Sequence, residues 1–291
     1  MEISKIKSHI VKPKGLAIAL VSQYGIMPLA AFCFAKVLQL GPIESLAVLI
    51  YGCCPGGNMS NVFALAAQGD MNLSIVMTTC STLLALGMMP LTLYLYCHGI
   101  PNIESMVPFT GIIVALIMTL LPCAIGIAIN HWVPQHSPKI IKAGMSLSLI
   151  GVLVFSVLSA MTFGKTTLMI VTPLLLTTTI LLPLSGFLFG YILSAIFRLR
   201  PECCRTVAIE TCCQNIQVCS TILKVAFAPE VIGPLFLVPY VFVTFQIMEV
   251  SLFIISFRCY QRFQAKAKKN LEYQTVDSKA EEMKKNTELQ I

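Results

Sequence analysis

Charged side chains are scarce in this sequence. Only 11% of its 291 residues are Asp, Glu, Lys or Arg, whereas soluble domains carry about 25%. Apolar residues make up 56% of the chain and the mean hydropathy is +0.82, which leaves too few polar residues to cover a soluble globule. The composition therefore excludes a soluble domain and predicts an integral membrane protein in contact with the lipid bilayer.

The sequence also lacks the cysteine and histidine patterns of a disulfide framework or a catalytic centre. Its twelve cysteines fall mainly inside apolar windows and form no C-x-x-C motif. The four histidines are scattered through flanks and loops. We therefore predict that the protein is not an enzyme. A membrane-embedded enzyme that uses Glu210 as an acid or base is a minor alternative.

Long apolar windows alternate with short polar segments. Eight windows are long enough to cross about 30 Å of hydrocarbon as helices. They cover residues 15–35, 45–68, 71–97, 108–130, 142–163, 166–197, 206–227 and 231–257. We assign 15–257 as the transmembrane domain, 1–14 as a basic stub and 258–291 as a charged tail.

Basic residues mark one side of the membrane. Four lysines precede the first window, and alternate segments at 139–142, 198–205 and 258–269 are also basic. The positive-inside rule places these segments, and hence both termini, in the cytoplasm. The net charge of +7 comes mostly from the flanks and tail, so it indicates orientation and no nucleic-acid partner. The polar start of the chain is unlike a cleavable signal peptide.

Two windows contain polar interruptions at mid-membrane depth. The second holds Gly-Cys-Cys-Pro-Gly-Gly-Asn-Met-Ser-Asn at 52–61, which does not continue as a regular helix. The seventh holds Glu-Thr-Cys-Cys-Gln-Asn-Ile-Gln at 210–217. Burying Glu210 at this depth costs about 2.5–3.5 kcal/mol on insertion scales, which favours a functional role. Glu210 and Gln214 are four residues apart and would share one face of a continuous helix.

The two interruptions occupy matching places in an internal repeat. Pro28 precedes Asn61 by 33 residues, and Pro183 precedes Asn215 by 32. Each half reads as a proline-bearing span, an interrupted span and another long span. The copies begin on opposite sides of the membrane, so the repeats are inverted, as in secondary transporters. In the second half, two spans, the fourth and fifth windows, precede the span that contains Pro183. In the first half only the basic stub precedes the span that contains Pro28. The repeat therefore also predicts one or two spans before Met1.

Oxygen-bearing side chains collect at similar depth. They are Gln23 in the first window, Ser60 and Asn61 at the first interruption, Ser74 and Thr78 in the third window, and Glu210 and Gln214 in the seventh. Hard cations such as Na⁺ prefer oxygen ligands, and this set supplies enough for two sites. The alternative is a hydrogen-bonded cluster that only holds helices together. Glu249, with Gln246 one turn away, is a competing acid in the eighth window.

The sequence resembles the bile acid:sodium symporter family over about residues 2–258. The segments that carry the resemblance are 52–61, 69–79 and 210–217, while 12–20 and 229–236 match its liver-type members. The resemblance implies a core in which two interrupted helices cross, beside a panel that here lacks one span before Met1. The implied fold class is all-α, a polytopic membrane protein with inverted repeats and two crossed discontinuous helices.

The resemblance also implies roles for individual residues. One sodium site would use Ser60, Asn61, Ser74, Thr78 and Glu210. The second would use Gln23, Glu210 and Gln214, with backbone carbonyls near Thr211 and Cys213. Asn215 and Ser220 would contact the substrate.

The implied function is sodium-coupled import of bile salts, such as taurocholate, and related steroid anions. Transport would proceed by alternating access across the plasma membrane, with Na⁺ as the co-transported ion. The alternative is a truncated, non-transporting form that acts as a binding or receptor-like membrane protein on the same fold.

Overall fold

The structure is a computed structural model that describes residues 13–100, 107–132, 172–228 and 233–288. Its helices are α1 (Lys14–Val21), a π-helical turn (Ser22–Ile26), α2 (Met27–Val37), α3 (Pro42–Cys53), α4 (Met59–Ala66), α5 (Met71–Cys97), α6 (Phe109–Trp132), α7 (Pro173–Ile196), α8 (Pro201–Cys212), α9 (Ile216–Val225), a 3₁₀ turn (Gly233–Leu237) and α10 (Val238–Glu288). Within the described ranges, the sole β-type pairing is one isolated bridge, between Gly56 and Gln214.

Four helical segments in the described ranges are long and apolar enough to cross a membrane. They are Lys14–Val37, Met71–Cys97, Pro173–Ile196 and Leu235–Ala267. They correspond to the first, third, sixth and eighth predicted windows, and the fourth window forms α6. The window at 142–163 lies outside the described residues. The all-α, polytopic class predicted from the sequence is confirmed.

The long helices present apolar side chains outward. On α5, five leucines are between 39% and 60% exposed, namely Leu83, Leu84, Leu86, Leu91 and Leu95. A soluble protein rarely exposes so much contiguous apolar surface, whereas lipid is the natural neighbour for such a face. Four polar side chains of α5 are buried instead, namely Ser74, Thr78, Ser81 and Thr92.

Both predicted interruptions are breaks between helices, and the two breaks meet. The first lies between α3 and α4, and the second between α8 and α9. The Gly57 N–H donates to the Cys213 carbonyl at 2.7 Å, and the Asn215 N–H donates to the Pro55 carbonyl at 2.9 Å. Each break therefore satisfies backbone groups of the other, which water would do outside a membrane. The structure thus contains the two crossed discontinuous helices expected from the resemblance.

Glycines allow the helices around the crossing to pack closely. A Cβ added at Gly186 on α7 would lie 3.0 Å from the Thr211 carbonyl oxygen. A Cβ added at Gly52 on α3 would lie 2.5 Å from the Ala31 Cβ on α2. Small residues at such contacts are typical of helix packing in lipid. These contacts fix the last turns of α8 and α3, where the breaks begin.

The first span has a π-helical turn, which the sequence pattern did not predict. The Met27 N–H donates to the Ser22 carbonyl, five residues back. Pro28 follows at once and has no N–H for the carbonyl of Tyr24, so a regular ladder cannot continue here. A π-turn of this kind changes the direction of the side chains that it carries.

The described residues divide into two compact units at Met248. The second unit begins at Glu249 and consists of the remainder of α10, which continues as a helix to Glu288. The helix therefore does not end at the predicted tail boundary after Phe257. Lys, Glu, Gln and Ala are good helix formers, so the change to a charged composition ends the apolar stretch without ending the helix.

Candidate cation site at the crossing

Glu210 lies on the last turn of α8, beside both breaks, and is only 3% exposed. Its carboxylate accepts hydrogen bonds from three hydroxyl groups on two other helices. Ser60 Oγ donates to Oε2 at 2.5 Å, Ser74 Oγ donates to Oε2 at 3.3 Å, and Thr78 Oγ1 donates to Oε1 at 2.6 Å. The structure therefore brings four of the predicted ligands into one buried cluster.

Local chain geometry places these hydroxyl groups. Ser60 lies in the first turn of α4, directly after the first break. Ser74 and Thr78 are four residues apart on α5, so they share one face. The Asp70 carboxylate caps the start of α5 by accepting from the Asn72 and Leu73 N–H groups, both at 3.1 Å. The cap fixes where α5 begins and hence which face meets Glu210.

Asn61, the fifth predicted ligand of this site, lies beside the cluster. Its Nδ2 is 3.4 Å from Thr78 Oγ1 and 3.4 Å from the Asn58 carbonyl. Its Oδ1 is buried and has no hydrogen-bond partner among the described residues. A buried amide oxygen without a donor is costly. Such an oxygen is also a ready ligand for a cation.

Gln23 connects the two breaks. Its Nε2 donates to the Cys54 carbonyl at 2.8 Å and to Gln214 Oε1 at 2.6 Å. Its own Oε1 is buried and, within the part of the chain that is described, has no partner. Gln23 and Gln214 therefore meet as predicted and leave a second unpartnered amide oxygen close to the crossing.

Gln214 does not share a helix face with Glu210, because the helix is not continuous between the two residues. The helix ends at Cys212, and Cys213 adopts an extended conformation with φ −89° and ψ 90°. Gln214 lies in the break, where its Nε2 donates to the Thr211 carbonyl at 2.9 Å. The extended residue turns the side chain of Gln214 toward Gln23 instead.

The two backbone carbonyls assigned to the second site already accept hydrogen bonds. The Thr211 carbonyl accepts from Gln214, and the Cys213 carbonyl accepts from the Gly57 N–H. A carbonyl oxygen has two lone pairs, so each retains capacity for a cation. The Thr211 hydroxyl donates to the Val207 carbonyl at 2.8 Å, back along its own helix.

Four helix ends point at the crossing, and their partial charges differ in sign. The carboxyl ends of α3 and α8 carry about half a negative charge each, and the amino ends of α4 and α9 about half a positive charge. Together with the Glu210 carboxylate, the carboxyl ends give a region that favours a cation. The amino end of α9 favours an anion nearby.

The two predicted substrate residues are Asn215, the last residue of the second break, and Ser220 on α9. Asn215 caps α9, where its Oδ1 accepts from the Val218 N–H at 3.1 Å. Ser220 Oγ lies 3.1 Å from Tyr240 Oη, and Lys224 Nζ lies 3.3 Å from the same Tyr240 oxygen. Asn215 and Ser220 are 8% and 6% exposed, respectively. Their side-chain hydrogen bonds go to the Val218 N–H and to Tyr240, and not to the Glu210 carboxylate.

Glu249, the competing acid, has a different environment. Both of its carboxylate oxygens are buried and lack a hydrogen-bond partner among the described residues. Gln246, its expected partner, accepts instead from Tyr51 Oη at 2.9 Å. Glu249 therefore lacks the surrounding hydroxyl ligands that Glu210 has.

The sequence prediction assigned no role to Gly56 and Ser81, which lie next to the site. The Gly56 N–H donates to Ser81 Oγ at 3.3 Å, and a Cβ at Gly56 would lie 2.5 Å from Glu210 Oε1. One signal was available for Ser81, because positions 74, 78 and 81 follow one helical face.

Known proteins resemble this chain closely. The model of the Sodium Bile acid symporter family matches residues 1–173. The human hepatic sodium/bile acid cotransporter is 56% identical over 265 residues, covering 90% of this chain and 76% of the relative. The rat hepatic protein is 54% identical over 264 residues, covering 90% and 73%. The human ileal sodium/bile acid cotransporter is 36% identical over 269 residues, covering 92% and 77%.

The match over more than half of the chain, together with these relatives, confirms the resemblance drawn from the interruption motifs. This chain belongs to the sodium bile acid symporter family.

Proposed function

We propose that the protein is a sodium-coupled symporter that imports bile salts and related steroid anions by alternating access. One observation carries the proposal: a buried carboxylate, Glu210, lies among three hydroxyl groups where two interrupted helices cross. Family membership supports the same reading. A cluster that only held helices together would not require an ionisable acid at this depth.

The first sodium site would use Ser60, Asn61, Ser74, Thr78 and Glu210. In the structure the hydroxyl groups of Ser60 and Thr78 donate hydrogen bonds to the Glu210 carboxylate, yet each hydroxyl also has a second acceptor within reach. Ser60 Oγ lies 2.7 Å from the Gly57 carbonyl, and Thr78 Oγ1 lies 3.0 Å from the Ser74 carbonyl. Rotation of each proton to the backbone would free the hydroxyl oxygen and the carboxylate for Na⁺.

The second sodium site would use Gln23, Glu210 and Gln214 with the carbonyls of Thr211 and Cys213. The unpartnered Oε1 of Gln23 supports this assignment, since it is an acceptor without a donor. All ligands of both sites carry oxygen, which suits Na⁺ better than a transition metal. In the described part of the chain, no group of three His, Cys, Asp or Glu residues is placed to hold a metal ion.

Two Na⁺ and one monovalent anion would carry one net positive charge inward. A membrane potential favours this movement by about 2.3 kcal/mol per 100 mV. Sodium would order the crossing, and the bile salt would bind beside it near Asn215 and Ser220. The protein would operate in the plasma membrane with its basic flanks in the cytoplasm.

The test is uptake of radiolabelled taurocholate by proteoliposomes that contain the purified chain. An inward Na⁺ gradient should drive accumulation, and an inside-negative potential should increase the rate. Replacement of Na⁺ by K⁺ or choline should abolish accumulation. Binding of taurocholate without accumulation under any gradient would contradict the proposal and favour the non-transporting alternative.

A further inference from the structure

Tyr24 connects the first span to α5 at the level of the crossing. Its side chain is 6% exposed, and its hydroxyl donates to the main-chain carbonyl of Ser81. Tyr24 lies in the π-turn, next to Gln23. The same turn therefore directs one side chain to the two breaks and the next to α5.

Ser81 connects α5 to the first break. Its Oγ accepts from the Gly56 N–H at 3.3 Å and donates to the Thr78 carbonyl at 3.1 Å. Ser81 is 3% exposed, so water does not replace these bonds. Because Gly56 lies against the Glu210 carboxylate, Ser81 helps to set the distance between the break and the acid.

Tyr24 and Ser81 together join the two proposed sodium sites. Both sites would share Glu210 on α8. The other ligands of the first site are on α4 and α5, and those of the second are side chains of the π-turn and the second break with the carbonyls of Thr211 and Cys213. The side-chain bond from Gln23 to Gln214 joins two ligands within the second site. The Tyr24 bond runs instead to the backbone of α5, three residues after the ligand Thr78.

We propose that Tyr24 and Ser81 form a strut that makes sodium binding at the two sites cooperative. They are positioning residues and not ligands. An ion at either site fixes the π-turn or α5, and the strut transmits that order, so the second ion binds at a lower entropic cost. The strut rests on the two-site function proposed above.

The test compares Tyr24→Phe and Ser81→Ala with two matched controls. Tyr96→Phe removes a hydroxyl from a half-buried tyrosine on α5 whose ring lies 5.4 Å from that of Phe32. Thr82→Val removes a hydroxyl that also donates to the Thr78 carbonyl, at 2.7 Å, but does not contact the break. Two quantities are measured against sodium concentration: taurocholate uptake, and the unfolding temperature of the detergent-solubilised protein without substrate.

For the wild type and both controls we expect a Hill coefficient approaching two, the number of sites. For Tyr24→Phe and Ser81→Ala it should fall to about one, and half-saturating sodium should rise about five-fold, as expected for the loss of one neutral hydrogen bond. The maximal uptake rate at saturating sodium and the unfolding temperature without sodium should change little, which a merely structural role would not predict.

Two results would overturn the strut in distinguishable ways. If either strut variant keeps the wild-type Hill coefficient in both measurements, the strut is wrong and the sodium-coupled function stands. If sodium changes neither uptake nor unfolding temperature in the wild type, both the function and the strut fall. Should Tyr24→Phe unfold without sodium, Ser81→Ala decides the matter, because alanine suits the interior of α5.

Discussion

Gly56 lies against Glu210 so closely that a Cβ at position 56 would be 2.5 Å from the carboxylate Oε1 and 3.1 Å from its Cδ. Only glycine lets the unwound backbone of the first break approach the acid in this way. Gly56 therefore matters to the site because it has no side chain, and its N–H in addition donates to Ser81 Oγ.

Gly56→Ala should therefore displace the carboxylate and raise half-saturating sodium for taurocholate uptake by at least about five-fold, since overpacking of this kind costs about 1–3 kcal/mol. Gly87→Ala is the control, because a Cβ there meets nothing within 4 Å on the same protein. Equal loss of uptake in both variants, at equal surface expression, would contradict the close contact.

Glu210→Gln should reduce sodium-driven uptake by about 100-fold, because a charge-assisted contact is worth up to about 3 kcal/mol. The amide keeps the size of the side chain but removes its charge. Sodium should also no longer raise the unfolding temperature of the purified variant. Glu202→Gln, an exposed acid in the first turn of the same helix, should behave as wild type. Normal sodium dependence in Glu210→Gln would remove Glu210 from the site.

Thr78→Val should raise half-saturating sodium by about ten-fold, the lower end expected for losing a hydrogen-bonding group beside a charge. The substitution preserves volume and branching, so packing against α8 should persist. Its neighbour Thr79 is exposed, and Thr79→Val should leave the sodium dependence unchanged. The measurement is uptake across a sodium titration, and the ratio between the two variants is the decisive quantity.

The ion pair between Asp70 and Arg200 should matter unequally for its two partners. The groups are 3.1 Å apart, but the Arg200 side chain is 69% exposed. Arg200→Ala should cost less than about 0.5 kcal/mol, as for other exposed pairs. Asp70→Ala also removes the cap of α5 and should cost about 1 kcal/mol more. Asp70→Asn keeps a capping oxygen and should lie between them.

Thermal unfolding of the purified variants in detergent tests this order. Equal destabilisation by Arg200→Ala and Asp70→Ala would show that the charge pair, and not the cap, holds the start of α5.

The first break could be predicted from the sequence because Pro55 interrupts a helix and the two glycines after it, Gly56 and Gly57, disfavour one. The second break has neither proline nor glycine and was predicted from its polar run and its place in the repeat. What the repeat could not provide was the conformation of Cys213, which moves Gln214 off the helix face. An extended residue inside a polar run leaves no pattern in the sequence.

The strut formed by Tyr24 and Ser81 could not be predicted from the sequence, for a different reason. Tyr24 bonds to a main-chain carbonyl, which every residue has, so no residue type marks its partner. The π-turn that directs Tyr24 depends on one shifted hydrogen bond, and Pro28 alone does not distinguish it from an ordinary kink. Ligand types could be predicted from chemistry, whereas their supports depend on how helices far apart in the chain pack.

The pairing of the two breaks has a consequence for biosynthesis. Pro55 and Gly57 enter the bilayer early, but their hydrogen-bond partners, Asn215 and Cys213, are translated long afterwards. Until then the Pro55 carbonyl and the Gly57 N–H of the first break would either remain unsatisfied in hydrocarbon or stay near the translocon's water. Nascent chains halted before Cys213 should therefore remain bound to the insertion machinery or be degraded, and release into lipid should coincide with emergence of α9.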